Sequence, residues 1–437
     1  MQQTDIDALR ALTLAPQGLF IAGRFEPASS GRTLDVSSPI NGRKLTTIAD
    51  GDAADIDSAV IAARAAFDQG AWSRAAPADR KTVLTKLAGL IEAKALELAV
   101  LGVRDNGTEI GMAYKAEPLS AAGTFRYYAE AIDKVLGEIA PTPANVLGLV
   151  HKEPIGVVGV IVPWNFPMMI GAWKIAPALA AGNSVVVKPP EVAWLALLKL
   201  AELAAEAGLP EGVLNVVTGR GSVAGEALGL HMDVDAIAFT GSGAVGRRLL
   251  DYSARSNLKR VYLELGGKSP NVVFADAPDL KQAAKVSANG IFRNSGQVCV
   301  AGSRLLVQSS VYDRFMADLL DATAKLKVGD PLDLASDIGA ISSADQLKKD
   351  LGFVAKAEEE GAMRLVGGTR ILAETGGYYM APPPFRRGDA PRSLAGGGGG
   401  AGGGGPPPGG GGRPGPPRCS AARSICRSRR CRRSPCC

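Results

Sequence analysis

The apolar positions of this chain change their spacing along its length. Ile56, Val60, Ala63 and Phe67 follow an aspartate-rich start at intervals of four, three and four, which lays one stripe along an amphipathic helix. Similar spacing continues through RKTVLTKLAGLIEAKALELAVLGV to about Val135, so helices are expected to dominate the first third after a short N-terminal segment. Residues 137–154, GEIAPTPANVLGLVHKEP, set proline and asparagine between two short β-like runs and read as a hairpin or extended arm. From Gly156 the pattern becomes apolar β-branched runs, GVVGVIV, SVVVK, VLNVVTG, VDAIAFTG, VYLELGG and NVVFAD, alternating with helical stretches. The longest of these, VAWLALLKLAELAAEAG, is stopped by Gly208 and Pro210. Strands apolar on both faces and separated by helices predict an α/β fold whose parallel sheet is covered on both sides. Ligands in such folds sit beyond the carboxyl ends of the strands.

Composition adds a boundary. The 437 residues are 46% hydrophobic and 21% charged, ordinary globular values in a chain long enough for two cores. The start, MQQTDIDALRALTLAPQG, has two aspartates and no basic, unbroken apolar leader. No apolar run approaches the roughly 20 residues a membrane helix needs, so the expected location is the cytoplasm. The net charge of +6 misleads, because residues 384–437 hold eleven arginines, one acidic residue (Asp389) and five of the six cysteines. The first 383 residues are mildly acidic. The glycine, proline and arginine of the tail cannot bury enough surface to offset ordering entropy, and disorder is expected there.

Chemistry is sought at the strand ends. FTGSGAVG follows a strand and opens a helix, and Gly241, Gly243 and Gly246 match G-x-G-x-x-G, a setting for a phosphate on a helix N-terminus. The same glycines would serve a plain turn. A ribose-binding carboxylate about 20 residues on would then be Glu264, 18 past Gly246. Lys188 and Glu191 in KPPEV offer a second ribose site, and Glu191 would repel a 2′-phosphate; both would otherwise be solvated loop charges. Asn165, in VPWNFP, would donate to an oxyanion or cap a turn. Cys299 is alone in the first 418 residues, among small polar neighbours in GQVCVAGSR. It is an accessible thiol or an inert small hydrophobe.

Taken together, VPWNFP, VVVKPPE, FTGSGAVG, LELGGKSPNVVFAD and FRNSGQVCVAGSR stand in the order and roughly the spacing of the NAD(P)-dependent aldehyde dehydrogenase superfamily, which residues 15–383 resemble. YAEAIDKVLGEIA, AGLPEGVLNVVTG and KRVYLELGGKSPNVVFADAPDL are most similar to the branch acting on γ-glutamyl-γ-aminobutyraldehyde and related aminoaldehydes of polyamine breakdown. The resemblance implies a Rossmann-type cofactor domain over residues 1–264, with 137–154 as an oligomerisation arm, and an α/β catalytic domain over 265–383. It also implies Cys299 as nucleophile, Glu264 as general base in place of the ribose role, and Asn165 as the oxyanion-binding amide. Lys188 and Glu191 would hold the adenosine ribose and Ser242 the pyrophosphate. Ile161, Pro163, Trp164, Gly221 and Gly225 would line the cofactor site, as would Phe239, Thr240, Gly241, Val245, Leu265 and Gly266. Gln346 would lie near the nicotinamide ribose, and Trp173 and Met169 along the substrate tunnel. The cofactor implied is NAD, with NADP as the alternative; no metal is implied, and His151 and His231 lie too far apart for a zinc site. The partners implied are a small aldehyde and further copies of the chain, as a dimer or tetramer.

The resemblance stops after GGYYMAP, residues 376–382. Relatives continue with a strand and an EEIFGP motif, whereas PPFRRGDAPRSLAGGGGG follows here. The change reads as a G/C-rich gene in the wrong frame, a frameshift near codon 383. On that reading the catalytic domain is truncated, strand edges stay unpaired and assembly is impaired. Weak NAD binding and poor or absent turnover are then expected. Two alternatives are an inactive NAD-binding remnant and an arginine-rich tail that binds nucleic acid; against the second, the tail has no aromatic beyond Phe385.

Overall fold

The computed structural model describes residues 1–386, and the expectation of a disordered, nucleic-acid-binding or frameshifted tail lies outside them from residue 387 onward. After α1 (Gln3–Arg10), two hairpins precede the helical region: β1 (Leu19–Ile21) with β2 (Arg24–Glu26), and β3 (Thr33–Ser37) with β4 (Lys44–Ala49). These strands escaped the periodicity because runs of three to six residues barely establish a period of two. The helices are α2 (Ala53–Gln69), α3 (Pro77–Ala93), α4 (Ala95–Asn106), α5 (Ile110–Tyr114) and α6 (Ser120–Ala131). In α2 the predicted stripe is buried at Ile56, Val60 and Ala63. Asp52 caps it by accepting from the Ala54 amide, Asp55 reciprocates toward the Asp52 amide, and Gly70 ends it in the left-handed region. The expected arm is a hairpin of β5 (Glu138–Ala140) and β6 (Gly148–Val150).

Five strands then build the parallel core of a seven-stranded sheet: β7 (Val157–Ile161), β8 (Ser184–Lys188), β9 (Leu214–Val216), β10 (Ala236–Gly241) and β11 (Arg260–Leu265). Their order, with β1 and β2 added antiparallel, is β11-β10-β7-β8-β9-β1-β2. The crossover helices are α7 (Pro167–Ala180), α8 (Leu195–Glu206), α9 (Glu226–Leu230) and α10 (Gly243–Ala254). All residues of β7, β8 and β9 are buried, as expected for strands covered on both faces. β11 departs from that expectation: it is the sheet's edge, and Tyr262 and Leu265 are exposed.

NVVFAD also departs from it. β12 (Pro270–Val273) leaves the main sheet and pairs in parallel with β13 (Arg304–Val307). α11 (Leu280–Phe292) and α12 (Tyr312–Ala324) pack with these strands around Phe315 and Leu319. After α13 (Ala344–Glu359), Phe385–Arg386 pairs with Met363–Arg364, so the ordered chain runs past the boundary expected at residue 383. No helix among the described residues is long and apolar enough to cross a membrane.

Candidate active site at the strand ends

In the sheet, β7 has β8 on one side and β10 on the other. The order of connection across the sheet therefore reverses at β7, and ligands of such sheets bind beyond the carboxyl ends of the strands at that reversal, here β7 and β10. The loop carrying Pro163, Trp164 and Asn165 leaves β7 there, next to the turn at Ser242.

Asn165 is buried, and its Nδ2 donates to the Gln297 carbonyl at 2.8 Å. That is no turn cap: it ties the β7 loop to the loop two residues before Cys299. The cysteine loop follows α11 through three consecutive left-handed residues, Asn294 (φ 49°), Ser295 (φ 53°) and Gly296 (φ 75°). Only glycine adopts this region freely, and asparagine tolerates it better than most residues. Side chains hold the excursion in place. Thr108 Oγ1 donates to Asn294 Oδ1 at 2.8 Å, Ser295 Oγ to the Gly339 carbonyl at 3.0 Å, and Gln297 Nε2 to the Asn294 carbonyl at 3.1 Å. Gln297 Oε1 accepts from the Ser342 amide at 3.1 Å. Cys299, the single cysteine among the described residues, is half-buried with a free thiol, which fits the accessible reading.

Glu264 sits near the end of β11, in register with Thr240, and is exposed. Burial lowers the pKa of the Lys174 ammonium on α7, while the Glu264 carboxylate opposes that shift; α7 thus presents a cation to the predicted base. On the same helix Trp173 is exposed and Met169 half-buried.

Most of the predicted cofactor residues stand at or just beyond the carboxyl ends of these strands. Ile161 pairs with Lys188 across β7 and β8. Lys188 is buried, which pushes its ammonium down to about 8 against the pull of Glu191. Glu191 is exposed, and its Oε1 accepts from the Gly221 amide at 2.8 Å, joining the lysine loop to the π-turn Gly221–Gly225. Phe239, Thr240 and Gly241 end β10, and a Cβ at Gly241 would lie 2.4 Å from the Phe239 ring. Ser242 is the N-cap of α10, its Oγ accepting from the Val245 amide at 3.2 Å, and the remaining first-turn amides have no helical acceptor. A helix N-terminus after β10 and a lysine–carboxylate pair after β8 are groups that suit a dinucleotide's pyrophosphate and ribose. Leu265 and Gly266 follow Glu264 on the exposed edge. Gln346 stands apart from these interactions: its Nε2 donates to Asp350 at 2.7 Å.

Three buried carboxyl groups were invisible in the sequence because VRDNGTEIGMAYKAEP reads as ordinary helical charge. Glu117 accepts from the Met169 amide at the start of α7, Asp105 from the Leu195 amide at the start of α8, and Glu109 from the Asn294 amide. Each leaves its second oxygen without a partner. Burial pushes Glu117 up to about 8 and Asp105 and Glu109 up to about 7. Since the folded pKa of Glu117 exceeds its ordinary 4.5, the native state holds a proton that the unfolded chain releases. The associated stability is complete below 4.5 and is lost as pH rises through about 8. Thermal melts from about pH 5 to about pH 9 should show Glu117→Gln losing several degrees less than the parent; parallel curves would refute the assignment.

Comparison with known proteins gives the family. The model of the aldehyde dehydrogenase family matches residues 25–387, and the chain belongs to that family, whose enzymes oxidise aldehydes with NAD(P). NADP/NAD-dependent aldehyde dehydrogenase PuuC from Escherichia coli K12 is 48% identical over 365 residues, covering 83% of this chain and 74% of the relative. A structure of indole-3-acetaldehyde dehydrogenase complexed with NAD+ superimposes with a TM-score of 0.88 at 47% identity, covering 90% of this chain and 80% of the other. The structure of γ-glutamyl-γ-aminobutyraldehyde dehydrogenase from Burkholderia cenocepacia J2315 gives 0.86 at 47% identity, covering 88% and 78%. PuuC and the Burkholderia enzyme support the branch assigned from the sequence.

Proposed function

We propose that this chain oxidises an aldehyde, of the aminoaldehyde or γ-glutamyl-aminobutyraldehyde class, to its carboxylic acid with NAD. The observation that carries the reading is the buried hydrogen bond from Asn165 to the Gln297 carbonyl, which holds an amide beside the cysteine loop. Lys188 and Glu191 would hold the adenosine ribose, and Ser242 with the α10 N-terminus the pyrophosphate. When bound, the nicotinamide supplies the hydride acceptor. The Cys299 thiolate adds to the aldehyde carbon, and the oxyanion of the thiohemiacetal is met by Asn165 Nδ2, which has a second hydrogen to donate, and by the Cys299 amide. Loss of hydride leaves a thioester on Sγ. Glu264 takes a proton from water, which attacks the thioester, releases the acid and restores the thiol. The Glu264 carboxylate lies close enough to Lys174 for the ammonium to feel it.

The test is aldehyde-dependent NADH formation by the 437-residue chain with γ-glutamyl-γ-aminobutyraldehyde and simpler aldehydes. Absent turnover from protein that still binds NAD would replace this reading with that of a cofactor-binding remnant. Glu191→Gln should shift the NADP-to-NAD ratio of kcat/KM toward NADP by about tenfold, since a charge facing a 2′-phosphate is removed; an unchanged ratio places the ribose elsewhere. The hairpin of residues 138–150 exposes Ile139, Leu147 and Leu149 at 68–74%, which supports its reading as an oligomerisation arm.

A further inference from the structure

We infer that Asn294 is a positioning residue that sets the Asn165 amide against the Cys299 loop, an inference that rests on the catalytic reading just given. Asn294 lies five positions before Cys299, is 1% exposed, and uses both ends of its side chain on other segments. Its Oδ1 accepts from Thr108 at 2.8 Å and its Nδ2 donates to the backbone carbonyl of Asn165 at 3.3 Å. Its own carbonyl accepts from Gln297 Nε2 at 3.1 Å, and the Gln297 carbonyl in turn accepts from Asn165 Nδ2 at 2.8 Å. The three residues close a ring: Asn294 holds the backbone of Asn165, Asn165 holds the backbone of Gln297, and Gln297 returns to Asn294. Rotating any member moves the Asn165 amide relative to the thiol.

Residue chemistry explains why asparagine stands here. The backbone needs a left-handed φ of 49°, which most side chains resist, and the side chain must present an acceptor to Thr108 and a donor to Asn165. Aspartate tolerates the same backbone and keeps the acceptor, but turns a carboxylate oxygen toward the Asn165 carbonyl. Glycine tolerates the backbone with neither contact. Asn294→Asp therefore changes one contact in an otherwise equal shape, and a ring that orients the oxyanion donor should register that change in catalysis.

The experiment uses the full chain with Asn294→Asp, Asn165→Ala and the double substitution. Asn165→Ala should lower kcat about 10²- to 10³-fold. Asn294→Asp should lower kcat roughly 10- to 100-fold, with the KM for NAD within about twofold of the parent, a split that general loosening of the fold would not produce. The double variant should be no slower than Asn165→Ala alone, because a residue acting through another adds nothing once that one is gone. Full kcat in Asn294→Asp, or losses that multiply, would overturn the inference. Where the parent does not turn over, or Asn165→Ala keeps full kcat, the catalytic reading itself falls. The inference is then decided by the crystal structure of Asn294→Asp: opening of the Asn165 Nδ2 to Gln297 O contact beyond about 3.5 Å supports it, and retention at 2.8 Å overturns it. Should Asn294→Asp fail to fold, Asn294→Gly carries the same measurements.

Discussion

Cys299→Ala should abolish aldehyde-dependent NADH formation, lowering kcat by about 10⁴-fold or more, as removal of a nucleophile does elsewhere. The thiol is half-buried and holds no part of its loop. Asn165, Asn294, Ser295 and Gln297 hold it instead. Melting temperature should therefore stay within about 2 °C of the parent, and NAD affinity within about twofold, while activity disappears. Five further cysteines lie after residue 418, so loss of thiol labelling has to be read on the tryptic peptide 294–304. Residual turnover within tenfold of the parent would show that Cys299 forms no covalent adduct and would remove the proposed mechanism.

The second large effect is expected at Glu264. Glu264→Gln keeps the shape and exposure of the side chain on β11 and removes its ability to accept a proton. In the proposed mechanism, thiohemiacetal formation and hydride loss do not use that group. Rapid mixing should therefore show a burst of up to about one NADH per chain, followed by a steady state about 10²- to 10⁴-fold slower than the parent. A substitution that merely weakened cofactor binding would lower burst and steady state together. The Lys174 ammonium loses its opposing carboxylate in this variant, so its pKa should fall further, and added NAD should not restore the rate. A steady state equal to the parent's would show that water is activated by another base.

Much of the candidate site was legible because its residues stand in continuous motifs. A β-branched run followed by glycine and a helix pattern located Gly241 and Ser242 at a strand end, since strand, turn and helix are neighbours in sequence and their geometry is local. The same holds for Lys188 at the end of SVVVK and for the isolation of Cys299 among small residues. The bland alternatives could not be separated there, because burial is not local. Lys188 proves buried beneath the loop and Asn165 proves bonded to a carbonyl 132 positions away. Gln346, placed by the resemblance near the nicotinamide ribose, donates to Asp350, one helical turn on.

What escaped the sequence shares one cause. Asp105, Glu109 and Glu117 sit in a stretch whose charge pattern is that of a solvated helix, and only packing against the starts of α7, α8 and the cysteine loop strips their water and raises their pKa values. β1 and β2 are three residues each, and they join the sheet through the pairing of Phe20 with Val216, nearly two hundred positions away. β12 reads like the strands before it but pairs elsewhere, because pairing partners are chosen by tertiary closure.

The sequence by itself determined the period of the longer helices and of the buried strands, the glycine-bearing strand ends and the reactive residue types, because these depend on neighbours a few positions apart. Only the tertiary structure decided which strand ends lie side by side, which carboxyls are stripped of water, and that Asn294, Asn165 and Gln297 close one ring around the cysteine loop. Those depend on segments brought together across the sheet by burial, whose driving force is non-directional and leaves no local signature in the chain.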